Sequence, residues 1–125
     1  MSRILICGDR NWTDVETIEN FIRSLPPDTI IIHGNSRGAD KIAERKAKEH
    51  GLTVKGYSAD WDKYGRAAGP IRNKQMLVEG RPDKVVAFHN DLSKSRGTAD
   101  MLRQAEKRGV AFEIRGTKRT GSDDN

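Results

Sequence analysis

Apolar residues fall into short continuous blocks, and between the blocks lie stretches where they recur every three or four positions. Ile4-Leu5-Ile6-Cys7-Gly8 is a compact apolar run closed by a glycine. Residues 14–25 follow, with Val15, Ile18, Phe21, Ile22 and Leu25 at helical spacing, and Pro26-Pro27 stops the pattern. Thr29-Ile30-Ile31-Ile32-His33 is β-branched and continuous, as a strand covered on both faces should be. A second helix is predicted over residues 39–50, closed by Gly51, and a weaker third strand over residues 52–57. Residues 58–69 read as an irregular segment holding Trp61 and Tyr64, and Pro70 suits the first position of a helix ending near Gly80. Lys84-Val85-Val86-Ala87-Phe88 is a fourth strand, residues 89–97 a polar loop, 98–108 a fourth helix followed by Gly109, and 110–114 a fifth strand. The tail RGTKRTGSDDN, residues 115–125, is expected to fray.

Five strands separated by four helical crossovers make an α/β domain, a parallel sheet with helices on both faces. Open sheets of this kind bind ligands beyond the carboxyl ends of their strands, where the strand order reverses. Attention therefore falls on Gly8-Asp9-Arg10 and on residues 33–40, 58–69 and 89–98.

With 125 residues the chain forms one domain, and its apolar share of 34% is lean beside 33% charged residues. The net charge of +5 and a pI near 9.6 favour an anionic partner, although a basic solvated surface fits equally well. Cys7 is the sole cysteine, which excludes an internal disulfide and fits a reducing compartment. No signal peptide and no apolar run near 18 residues is present, so a cytoplasmic protein with no membrane partner is expected.

HGNSRGAD, residues 33–40, joins the second strand to the second helix. Gly34, Asn35, Ser36, Arg37 and Gly38 can turn several amide N–H groups toward one anion at the positive end of that helix. Asp40 either satisfies the helix dipole itself or meets a ribose hydroxyl. The stretch is not a P-loop, and no G-x-G-x-x-G follows the first strand. SRGTAD, residues 95–100, is a second junction of this kind, where Ser95, Gly97 and Thr98 offer amides and hydroxyls, unless Thr98 is simply an N-cap. Arg72 and Asn73 fall in the first turn of the predicted third helix, where a cation is locally unfavourable, so Arg72 is expected to have a partner outside the helix. His33 and His89 end strands expected to flank the first strand, so they can approach each other. A hydrogen-bonded structural role outweighs acid–base work, and no metal ligand set accompanies them. Trp12, Trp61 and Tyr64 either stack on a base or plug the edge of the core.

ICGDRNWTD, HGNSRGADKIAERKA, YSADWDKYGRAAGPIRNKQM and AFHNDLSKSRGTADMLRQA resemble, in order and spacing, the YspA/YpsA-related branch of the SLOG superfamily, over nearly the whole chain up to residue 114. That superfamily includes the LOG phosphoribohydrolases and the DNA-processing protein DprA. The resemblance implies a single Rossmann-like domain over residues 1–114, a five-stranded mainly parallel sheet of order 3-2-1-4-5, and homo-oligomers. It also implies a nucleotide or nucleotide-derived ligand, as in bacterial and phage conflict systems. The residues it carries over are Gly8 and Arg10, then His33, Gly34, Gly38, Ala39 and Asp40, then Arg72, Asn73 and Met76, and finally Gly97 and Thr98. Asp9 lies between the first pair. LOG hydrolases have a glutamate where this chain has Met101, and Asp100 stands about 100° away around the helix.

Three functions compete. The first is binding of a nucleotide, ADP-ribose-like or cyclic nucleotide ligand by a sensor, carrier or sequestering protein, with no cofactor. The second is N-glycosidic hydrolysis of nucleoside monophosphates, for which Asp40, Asp100 and His33 are the catalytic candidates. The third is single-stranded nucleic-acid binding, although the basic residues are scattered and the aromatics few.

Overall fold

The computed structural model describes residues 2–117. Its elements run β1 (Arg3–Gly8), α1 (Val15–Arg23), β2 (Ile30–His33), α2 (Ala39–Glu49), β3 (Thr53–Gly56), α3 (Trp61–Tyr64), α4 (Ala68–Gly80), β4 (Lys84–Phe88), α5 (Arg96–Lys107) and β5 (Ala111–Arg115). The sheet has order β3-β2-β1-β4-β5 and every pairing is parallel. Leu5 at the centre of β1 registers with Ile32 on one side and Val85 on the other.

Strand alternation sorts the apolar runs onto two faces. Ile4, Ile6, Ile31, Val86 and Phe88 pack with Ile18, Phe21 and Ile22 of α1 and with Ala39, Ile42, Ala43 and Ala47 of α2. Leu5, Cys7, Ile32, Val85 and Ala87 pack with Met76 and Leu77 of α4 and Met101, Leu102 and Ala105 of α5. Full burial of each large side chain contributes roughly 1.5–3 kcal/mol, which is why the central strands read as unbroken apolar runs. The Cys7 thiol is buried, and burial pushes its pKa far up, so it behaves as a small apolar side chain.

Three boundaries differ from the sequence expectation. The irregular segment contains α3, started by Asp60, whose Oδ1 accepts from Lys63 N at 3.1 Å. It is followed by a 3-10 turn over Gly65–Ala67. Helix α4 begins at Ala68, so Pro70 is its third residue, still within the turn whose amides need no helical partner. Arg72 and Asn73 are therefore the fifth and sixth residues of the helix, two positions deeper than predicted. Helix α5 begins at Arg96 and is capped by Ser95, which follows a 3-10 turn over Leu92–Lys94. Thr98 thus lies inside the helix and is not its cap.

Of the expected tail, Arg115 completes β5, and Thr117 N donates to Asn90 Oδ1 at 2.7 Å. Residues 118–125 lie outside the described residues. Among the described residues no helix is long and apolar enough to cross a membrane.

Candidate functional site

The loop after β1 fixes the floor of the carboxyl edge. Asp9 Oδ1 accepts from Asn11 N at 2.8 Å, and the Asp9 carbonyl accepts from both Trp12 N and Ala39 N at 3.1 Å. The first amide of α2 is thereby taken by the neighbouring loop. Gly38 makes this approach possible: its φ is +75°, and a Cβ there would stand 2.4 Å from the Asp9 carbonyl oxygen.

The β2–α2 loop does gather its amides around an anion, and the anion is its own. Gly34 N and Ser36 N donate to Asp40 Oδ2 at 3.0 and 3.3 Å, while Asn35 N donates to His33 Nδ1 at 3.0 Å. Asp40 is only 5% exposed, and its Oδ2 is turned to the amides of its own loop. Burial pushes its pKa up to about 6, opposed by the two backbone amides and by the Arg72 and Lys41 charges. Of the donors expected to face a ligand, those of Gly34, Asn35, Ser36 and Ala39 are already engaged.

Arg72 and Asn73 brace the two crossovers. Arg72 Nη1 donates to the Gly34 carbonyl at 2.5 Å, and its Nε donates to Asn73 Oδ1 at 3.1 Å. A Cβ on Gly34 would stand 2.7 Å from Arg72 Nη1, so only glycine lets the guanidinium lie against this peptide. Asn73 Nδ2 donates to the Gly97 carbonyl at 3.2 Å and to Asp100 Oδ2 at 3.0 Å, and Gln104 Nε2 donates to the same carboxylate oxygen at 2.9 Å. The space between the two glycine-bearing junctions is therefore spanned by side chains of α4.

The two strand-end histidines share one local role. His89 Nδ1 accepts from Asp91 N at 2.9 Å, as His33 Nδ1 does from Asn35 N. His33 lies beside Glu44 of α2, and continuing the alternation of each strand from Ile31 and from Ala87 assigns the two histidines to opposite faces of the sheet. His33 is fully buried, its Nε2 lies 3.6 Å from Glu44 Oε2, and desolvation lowers its pKa. Among the described residues no cluster of three His, Cys, Asp or Glu side chains is placed to hold a metal.

What remains open is a cleft of about 290 Å³ over the carboxyl ends of β1, β2 and β3. Arg10 comes from the first loop, Gly34, Asn35, Ser36 and Arg37 from the second, Ser58 and Ala59 from the third, with Trp61 of α3 and Arg72 of α4 closing the walls. Asn35 Nδ2 donates to Ser58 Oγ at 2.8 Å, tying the second and third loops, and Arg37 Nη2 reaches Asn11 Oδ1 at 3.5 Å. Six predicted positions thus meet here: Arg10, Gly34, Asn35, Ser36, Arg37 and Arg72. Gly8, Asp9, His33, Gly38, Asp40 and Asn73 lie outside its lining and shape it from behind. Ser95, Gly97 and Thr98 do not line it either: Ser95 Oγ accepts from Thr98 N at 3.3 Å, and Thr98 is buried.

Ser58 and Ala59 fall in the segment 58–69 singled out at this edge but were not named as ligand-binding positions, and Trp61 was left undecided. Their signal was position, directly after a third strand at the same edge. Trp12 belongs to the core, edge-on to Phe88 with centroids 5.8 Å apart and with its Nε1 donating to the Asp14 carbonyl. Tyr64 is exposed but does not line the cleft. Met101, at the LOG glutamate position, is buried against the sheet.

A parallel sheet of order 3-2-1-4-5 covered on both faces, with its cleft at the carboxyl edge, defines a Rossmann-like domain. Residues 2–64 match the YAcAr family, described as the YspA, cpYpsA-related SLOG family. The chain is also 36% identical over 119 residues to the Gene 61 protein of Mycobacterium phage D29, covering 88% of this chain and 93% of that protein. The chain belongs to the YAcAr family of SLOG proteins. The fold is shared with DNA processing protein A (DprA) from Streptococcus pneumoniae, at a TM-score of 0.57 and 15% identity over 92% of this chain. This chain spans 59% of the length of that structure. The family match covers β1 through α3 and so includes every cleft residue except Arg72.

Proposed function

We propose that the cleft binds a nucleotide or nucleotide-derived small molecule through its phosphate and leaves it intact, as a sensor, carrier or sequestering protein would. The observation that carries this reading is the meeting of Arg10, Arg37 and Arg72, from three different elements, in one cleft whose lining, among the described residues, includes no carboxylate and no imidazole. Guanidinium groups match phosphate geometry and form charge-assisted hydrogen bonds. Ser36, Asn35 and Ser58 add neutral polar groups, and SLOG membership agrees with a nucleotide-related ligand.

Hydrolysis of an N-glycosidic bond needs a group to stabilise the ribosyl cation and another to activate water. The candidates are otherwise engaged. Asp40 is buried against its own loop, Asp100 is held by Asn73 and Gln104, and His33 is fully buried.

Thermal unfolding against a panel of nucleotides, cyclic nucleotides and ADP-ribose tests the reading. A ligand at about 100 times its Kd stabilises the fold by roughly 2.7 kcal/mol, a clear rise in Tm. Arg10→Ala and Arg37→Ala should each weaken binding about tenfold or more, since a charged hydrogen bond is worth roughly 1.5–3 kcal/mol. No stabilisation by any member of the panel overturns the proposal, and free base released during incubation overturns the claim that the ligand stays intact.

A further inference from the structure

We infer that Trp61 is the stacking surface for the ligand's aromatic base, so that the cleft prefers base-bearing phosphates to phosphates that lack a base. This rests on the nucleotide-binding reading of the same cleft and adds the determinant of its selectivity.

Trp61 is 58% exposed, the most exposed of the chain's large apolar side chains among the described residues, and it forms a wall of a cleft that is otherwise almost entirely polar. Its place is set by packing. The ring atom Cη2 lies 3.3 Å from where a Cβ on Gly69 would stand, so a glycine in the first turn of α4 makes room for the indole. It belongs to neither core cluster, unlike Trp12. Tyr64, the other exposed aromatic of this segment, carries the Lys63 ammonium 5.1 Å from its ring centroid and is not part of the cleft. Arg10, Arg37 and Arg72 supply charge to the cleft, and Trp61 supplies the flat apolar face that a phosphate alone cannot use. Stacking accepts every base, because each has a π-face, so selectivity is expected for the presence of a base more than for its identity.

The test compares the four ribonucleoside monophosphates with ribose 5-phosphate, which has the same sugar phosphate and no base. Wild-type protein should bind at least one nucleotide about 10- to 100-fold more tightly than ribose 5-phosphate, in line with the usual worth of a base–aromatic stack. Trp61→Ala should bind both at the ribose 5-phosphate level. Trp61→Phe should keep most of the preference, and Gly69→Ala, which crowds the indole without removing it, should fall between. Tryptophan fluorescence should change with nucleotide in wild type and not in Trp61→Phe, where only the buried Trp12 reports. Circular dichroism of each variant confirms that it folds. If Trp61→Ala keeps the preference, or wild type shows none, stacking is overturned while phosphate binding stands. If wild type binds neither class of compound, this inference falls, and the binding proposal falls with it only when cyclic nucleotides and ADP-ribose also leave the Tm unchanged.

Discussion

A carboxylate as deeply buried as that of Asp40 is costly to keep charged, and its neighbours compensate only in part. Two amide donors and the Arg72 charge favour the anion, yet burial prevails and the pKa rises from the ordinary 3.8 to about 6. The folded chain therefore holds this proton more tightly than the unfolded chain does. The stability Asp40 contributes is present in full below about pH 4 and is lost as pH climbs through about 6, to a limit of roughly 3 kcal/mol. His33 acts in the opposite sense: burial lowers its pKa, so stability is lost as pH falls below its ordinary 6.5. Asp40→Asn keeps an oxygen for Gly34 N and Ser36 N and removes the titration. Its stability relative to wild type should rise between pH 4 and pH 7, read by urea unfolding at several pH values. Asp40→Ala leaves the buried Gly34 amide and the half-buried Ser36 amide without acceptors and should cost about 1–3 kcal/mol near neutral pH. A constant difference between Asp40→Asn and wild type across that range would refute the assignment.

At the scale of elements, Asn73 joins the two helices of the α4/α5 face. Its Nδ2 donates to the first turn of α5 at Gly97 and to Asp100, and its Oδ1 accepts from Arg72, whose other end grips the β2–α2 loop. Asn73→Ala should lower stability by about 2–3 kcal/mol, because buried partners lose their bonds together. Asn73→Asp should be worse at neutral pH, where a second carboxylate would meet Asp100 and the Gly97 carbonyl. It should recover toward pH 4–5, where the pair can share a proton; Tm across that range checks the sign. The elements themselves were largely legible. Lys84–Phe88 reads as a strand because burial on both faces leaves no polar position in its middle, and β2 reads so for the same reason. The start of α5 was missed because its cap, Ser95, sits behind a 3-10 turn that looks like loop. The glycine junctions were legible as places of close approach, but not what fills them. No spacing rule says that Asp40 folds back onto Gly34 and Ser36, or that a residue 38 positions away rests its guanidinium on Gly34. The two histidines looked convergent because each ends a strand beside β1. The pleat sends them to opposite faces, and that depends on register, which apolar runs alone do not set.

For the whole molecule, the question is where a net charge of +5 acts. Much of the basic surface is partnered. Lys46 sits 3.0 Å from Glu49 and 3.7 Å from Glu19, Lys41 and Lys48 flank Glu44 at 3.4 and 3.5 Å, and Lys84 and Arg115 both pair with Glu113. These exposed pairs add little stability, but they cancel one another's field beyond a Debye length of about 8 Å at physiological salt. In the cleft three arginines meet with no carboxylate among the described lining residues, and only Asp40, behind the loop, offsets part of the Arg72 charge. A field concentrated at one edge suits a compact anion held at one point, whereas a nucleic-acid strand needs charge spread along a path. Salt separates the two. A single-stranded oligonucleotide held by about three phosphate contacts should lose roughly 40-fold in affinity between about 50 and about 300 mM NaCl, from a slope near −0.7 per contact. A mononucleotide, with one phosphate and a base, should lose about fivefold or less over the same range. Fluorescence anisotropy with labelled oligonucleotide, and competition by the mononucleotide at each salt concentration, gives both slopes from one experiment. Competition that clears the oligonucleotide more completely as salt rises places the small ligand in the arginine cleft. An oligonucleotide that resists both salt and competitor would make the strand the cleft's true occupant.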